Sequence, residues 1–124
     1  MMSESDCKEV DRFVMDEIET VPHLEALLLL WNSRPRAWSP EEMSRALYLP
    51  PDATQPILAD LERRGLVVLT GSNCFLYRSG ERDRVIEALD RTYRREVVRI
   101  STMIHSKPAA SQREFARAFR LKKD

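Results

Sequence analysis

Apolar residues recur at helical spacing along most of the chain, and one short stretch switches to a strand-like pattern. The first cluster, Phe13, Val14, Ile18 and Val21, predicts a short helix over about Cys7–Glu19, and residues 1–6 ahead of it read as a disordered tail. Thr20 is placed to cap a second helix, with Pro22 in its first turn, where a missing N–H costs nothing. Leu24, Leu27, Leu28 and Trp31 recur at helical spacing there, and Leu29 and Leu30 widen the face. A helix apolar nearly all round belongs at the centre of a domain. Pro35 stops it.

Ser39-Pro40-Glu41-Glu42 spells a capping box with proline at the first helical position. The short helix it opens runs to about Leu47, with Met43, Ala46 and Leu47 inward. After the turn Tyr48-Leu49-Pro50-Pro51, Asp52 is expected to cap a third helix with Gln55 as its pair; Pro56 lacks an N–H, which leaves a later start at Thr54 open. Ile57, Leu58 and Leu61 face the core, and Gly65 ends the helix in a left-handed conformation. Leu66-Val67-Val68-Leu69 and Cys74-Phe75-Leu76-Tyr77 flank Thr70-Gly71-Ser72-Asn73, the pattern of a β-hairpin. Ser79 is read as the cap of one long amphipathic helix over residues 80–106, on the order of 38 Å from ~1.5 Å per residue. Its stripe is Val85, Leu89, Tyr93, Val97, Ile100 and Ile104. Lys107-Pro108 ends it, and residues 107–124 form a basic tail with a short helix capped by Ser111 and Glu114, carrying Phe115, Ala118 and Phe119.

At 124 residues, 43% hydrophobic and 32% charged, the chain suits a single domain, residues 7–79, extended by the long helix and tail. No apolar run nears the ~20 residues of a membrane span. The acidic start lacks a signal-peptide pattern, so the expected location is the cytoplasm. Cys7 and Cys74 have no zinc-type spacing and read as reduced structural thiols. Net charge is zero, yet residues 1–77 carry 7 Lys/Arg against 13 Asp/Glu, a net −6, and residues 78–124 carry 13 against 7, a net +6. That asymmetry fits intramolecular docking, head-to-tail association, or a basic surface for nucleic acid.

The run Ser39-Pro40-Glu41-Glu42-Met43-Ser44-Arg45-Ala46-Leu47, followed by Ile57-Leu58-Ala59-Asp60-Leu61-Glu62-Arg63-Arg64-Gly65-Leu66-Val67 and a hairpin, resembles the winged helix-turn-helix of bacterial MarR-like transcriptional regulators. The fold class expected is therefore mainly α with a small β-hairpin. The resemblance implies a homodimeric DNA-binding regulator, with the third helix in the major groove and the hairpin tip on backbone or minor groove. Candidate DNA contacts are Thr54, Gln55, Arg63 and Arg64 on that helix, Arg36 and Arg45 near the preceding one, and Ser72 and Asn73 at the tip.

Charge departs from that pattern. Residues 34–77 hold five arginines against five carboxylates, and the tip has no basic residue, where a DNA reader normally presents a positive footprint. Phosphate contacts would then also draw on Arg34, Arg91, Arg94, Arg95 and Arg99. The alternative is a winged-helix adaptor that binds another protein without significant DNA affinity. Dimerisation is expected through Val85, Leu89, Tyr93, Val97, Ile100 and Ile104, with Phe115 and Phe119 docking on the domain or across the dimer. His23 and His105 lack ligand partners at helical spacing and read as exposed or helix-end residues, so no metal site is expected. Nothing matches a nucleophile elbow or a phosphate loop, which leaves no catalytic constellation and no cofactor.

Overall fold

The computed structural model describes residues 4–108. Six helices and a hairpin follow in the order α1 (Glu4–Glu17), α2 (Val21–Asn32), α3 (Pro40–Leu47), α4 (Pro51–Arg63), β1 (Val67–Leu69), β2 (Phe75–Tyr77), α5 (Asp83–Arg95) and α6 (Val97–His105). The first helix starts at Glu4, inside the stretch expected to be a disordered tail. Residues 1–3 and 109–124 lie outside the described residues, and with them Ser111, Glu114, Phe115 and Phe119.

Central α2 buries Leu24, Ala26, Leu27, Leu28, Leu30 and Trp31, and Thr20 caps it by accepting from the His23 amide at 3.3 Å. Ser39 and Glu42 form the expected capping box at α3, with reciprocal bonds of 3.1 and 2.9 Å. Tyr48 then takes a left-handed conformation (φ 56°) to close the turn. The start of α4 differs from expectation. Pro50 is its N-cap and Pro51 its first residue, so neither Asp52 nor Thr54 caps it. Two prolines fix backbone angles that suit a helix start, and the Thr54 hydroxyl donates to the Pro50 carbonyl at 3.1 Å.

Gly65 turns the chain from α4 into β1 at φ +77°. The strands pair antiparallel with Val67 opposite Tyr77, Val68 opposite Leu76 and Leu69 opposite Phe75. Trp38 adds a bridge to Phe75, tying the approach to α3 onto the hairpin. Edge-on packing of Trp31 and Tyr77, with ring centroids 5.0 Å apart, joins the sheet to α2.

The single long helix expected over residues 80–106 is two helices, broken at Glu96 (φ −132°, ψ 49°). Burial explains the break. Ile86 and Leu89 on α5, and Ile100 and Ile104 on α6, all reach the core that holds Val10, Val14 and Ile18 of the first helix and its exit. A straight helix of that length would run past the 14 residues of α1, whereas a bend at Glu96 lets both halves cover it. The Thr92 hydroxyl donates back to Ala88 at 2.8 Å, a bond that bends helices, and the β-branched pair Val97-Val98 follows. Nor does Ser79 cap α5: its hydroxyl donates to Asp83 at 2.6 Å, and Asp83 also accepts from the Gly80 amide and the Tyr77 hydroxyl. These donors hold the Asp83 carboxyl below the usual carboxylate range. No helix among the described residues is long and apolar enough to cross a membrane.

Candidate nucleic-acid interface

The inner face of α4 carries Ile57, Leu58 and Leu61, which pack into the core, and that leaves Asp52, Gln55, Pro56, Ala59, Glu62 and Arg63 on a continuous exposed face. The hairpin tip, Gly71-Ser72-Asn73, is exposed too, with Asn73 left-handed at φ 59°. The structure thus presents a helix face and a wing to solvent, as a winged helix does.

Placement of the individual candidates is uneven. Gln55, Arg45, Ser72 and Asn73 are exposed, and among the described residues Arg45 makes no ion pair. Arg36 is half-exposed but already stacked on Trp38 at 3.7 Å and paired with Glu42 at 3.2 Å. Thr54 is not an outward reader, because its side chain is fully buried and bonded to the Pro50 carbonyl. Arg64 is turned away from the α4 face. It pairs with Asp60 at 3.0 Å and Glu17 at 3.4 Å and donates to the Asp16 carbonyl, which ties the end of α4 to the end of α1. Arg63 also contacts Asp60, though three quarters of its side chain is exposed. On the open face the cation Arg63 therefore stands against Asp52 and Glu62.

Asp60 is buried and gathers Arg63, Arg64 and His23, the last at 3.3 Å. Burial opposes its charge, yet hydrogen bonds from Arg64 and Arg63 hold the carboxyl below the usual range. His23 stands in the first turn of α2, a helix-end position as expected, but it is partly buried rather than exposed. Its ring lies against Thr20 at 2.6 Å and Asp60, and burial pushes its pKa down against the pull of Asp60. The Asp60–Arg63/Arg64 spacing was legible as helical ion pairs, whereas the His23 contact spans 37 residues and left no local signal.

Among the described residues, part of the charge asymmetry is met within the chain. Acidic α1 docks on the basic C-terminal helices through Arg99–Asp11 (3.0 Å), Arg82–Glu17 (3.4 Å) and Arg84–Asp6 (3.5 Å). The Lys107 ammonium donates to the carbonyls of Val14 and Ile18 at the end of α1. Arg91 pairs with Glu87 and Arg94 with Asp90, so much of the charge expected to serve phosphates is neutralised internally. Arg34 stacks on Trp31 at 3.4 Å.

Of the expected dimer stripe, Leu89, Ile100 and Ile104 are buried in the chain's own core, because α5 and α6 fold back on α1. Val85 and Tyr93 are partly buried, and Val97 is 46% exposed. Ile86, fully buried, lay outside the stripe. Among the described residues no group of three His, Cys, Asp or Glu side chains is placed to hold a metal ion.

No protein-family model matches the chain, and no curated protein matches it significantly. Solved structures match it by fold. A MarR family protein from Bacillus stearothermophilus covers 96% of this chain and 83% of its own length at 20% identity, with a TM-score of 0.52. A MarR family protein from Mycobacterium tuberculosis covers 97% and 86% at 22% identity, with a TM-score of 0.51. MepR, a transcription regulator of the Staphylococcus aureus multidrug efflux pump MepA, covers 96% and 87% at 13% identity, with a TM-score of 0.50. The chain has a MarR-like winged-helix fold.

Proposed function

We propose that the protein is a bacterial, cytoplasmic transcription regulator that binds double-stranded DNA as a homodimer, acting as a binding module without catalysis or cofactor. The exposed face of α4 enters the major groove, and the tip at Ser72 and Asn73 meets the backbone or minor groove. The observation that supports this best is the open α4 face beside an exposed wing, in a fold shared over nearly the whole chain with MarR family structures. Gln55 lies on that face and its amide has the donor and acceptor to pair with an adenine edge. Phosphate contacts fall to Arg45, Arg63 and Arg36, and affinity is carried mainly by them.

A second reading is favoured by the acidic residues Asp52 and Glu62 on the same face: an adaptor whose α4 binds a protein. Titration with duplex DNA from the protein's own upstream region at ~50 mM salt separates the two. Regulators reach at least ~10⁻⁴ M even on non-specific duplex. Absence of binding at ~100 μM protein rejects the DNA reading. With binding, Arg45→Ala should weaken all sequences alike and lower the salt slope by about 0.9, whereas Gln55→Ala should change the preference among sequences.

A further inference from the structure

Between the end of α4, the end of β2 and the start of α5 lies an open cleft of about 330 Å³ whose walls include Arg64, Gly65, Arg78, Gly80, Glu81 and Arg82. We propose that this cleft binds a phosphate group through Arg78 and Arg82.

The construction of the cleft begins at Gly65. Its left-handed turn brings β1 back beside the end of α4, and its missing side chain leaves bare backbone on the floor. Arg78, the first residue after β2, is held over that floor by its amide, which donates to the Leu66 carbonyl at 3.0 Å. The terminal nitrogen of Arg78 reaches to 4.0 Å from the point where a Cβ on Gly65 would stand. From the α5 side, Arg82 donates to the Arg64 carbonyl at 2.9 Å and pairs with Glu17 at 3.4 Å, which fixes its guanidinium at the other edge. Arg64 contributes backbone, since its own guanidinium is spent on Asp60 and α1.

The unpaired charge in the cleft is that of Arg78, which makes no ion pair among the described residues; Arg82 is paired with Glu17 but keeps N–H groups beyond those it uses, and Glu81 is the carboxylate among the lining residues. The Gly80 amide is taken by Asp83, so recognition rests on the two guanidinium forks. Forks arriving from different elements suit an anion whose oxygens point in several directions, as those of a phosphate do, and such charge-assisted contacts are the strong ones. The volume exceeds that of inorganic phosphate and leaves room for a substituent. A bound phosphate would cross-link the end of the wing to the start of α5, the junction between the α4–hairpin unit and the helices that pack on α1. The site stands whether or not α4 binds DNA.

The test uses the full chain and inorganic phosphate at constant ionic strength, against chloride, followed by amide chemical shifts. Saturable shifts at Gly65, Gly80 and Glu81, weakened about tenfold or more in Arg78→Gln, support the site. Arg78 is exposed, so this variant should melt with the wild type, and Arg78→Lys, which keeps the charge but loses the fork, should fall between them. Shifts that never saturate, or that are equal in Arg78→Gln, overturn it. Adding duplex DNA identifies the source: displacement of phosphate by duplex assigns the site to a backbone phosphate, and undisturbed phosphate shifts assign it to a free phosphate ester.

Discussion

Asp60 meets His23, Arg63 and Arg64 at the point where α4, α2 and the end of α1 converge. Removing it would leave the mostly buried Arg64 and His23 without that carboxylate, so Asp60→Ala should cost about 2–3 kcal/mol in urea unfolding, below a fully buried pair because Arg63 is exposed. His23 gives the cluster a pH dependence. Its folded pKa lies below the ordinary 6.5, so near neutrality the unfolded chain binds the extra proton. Stability should therefore fall as pH drops below about 6.5, and a second loss should follow below the ordinary Asp value of 3.8 as Asp60 is protonated. Asp60, Arg64 and Lys107 are the charges facing the ring, and the first opposes the other two. Melting temperatures of wild type and His23→Gln across pH 7.5 to 5.5 check this: the variant should lack the first loss, and equal slopes would assign the effect elsewhere. Little of this cluster was legible in sequence. The i, i+3 and i, i+4 pairs of Asp60 follow from helical geometry, but a lone histidine acquires its partner only through packing of α2 on α4.

At the scale of elements, several signals that act within a few residues were readable, the caps expected at Asp52 or Thr54 and at Ser79 being the local ones that did not form, and those set by packing were not readable. The capping box at Ser39, the cap at Thr20 and the turn at Gly65 each depend on local chemistry, and each stands where the sequence put it. Gly65 has open space around a would-be Cβ, with Arg78 the nearest group at 4.0 Å, so Gly65→Ala should cost only the conformational strain of a left-handed alanine, about 1 kcal/mol, measured by denaturant midpoint. The break at Glu96 carries no proline or glycine. It exists because Ile100 and Ile104 gain more by burial on α1 and α2 than a straight helix would give them. Ile100→Ala should accordingly lose about 2–5 kcal/mol, whereas Val98→Ala, at a site 75% exposed, should stay within about 0.5 kcal/mol. If Ile100→Ala were as mild as Val98→Ala, α6 would not be folded back in solution.

For the molecule as described, basic residues of the C-terminal helices dock on acidic α1 through Arg82–Glu17, Arg84–Asp6 and Arg99–Asp11. The sequence left that outcome open beside association and nucleic-acid binding, because charge counts carry no geometry. Internal docking narrows what remains for a partner. Of the residues first expected to hold a dimer together, Leu89, Ile100 and Ile104 are inside, and the large apolar side chains exposed among the described residues are Met15 on α1, Tyr48, Leu69, and Val97 and Val98 on α6. Because α1 and α6 pack against each other, Met15, Val97 and Val98 offer apolar material for self-association on those two helices. Val98→Glu should therefore shift sedimentation toward monomer at micromolar concentration while leaving the denaturant midpoint of the monomer nearly unchanged, since the side chain contributes little to the chain's own core. Dimerisation through residues 109–124 instead would leave Val98→Glu fully dimeric and would make deletion of that segment the dissociating change. On the proposed homodimeric, DNA-binding reading, Val98→Glu should also weaken duplex binding, because a monomer would engage one half-site where a dimer would engage two.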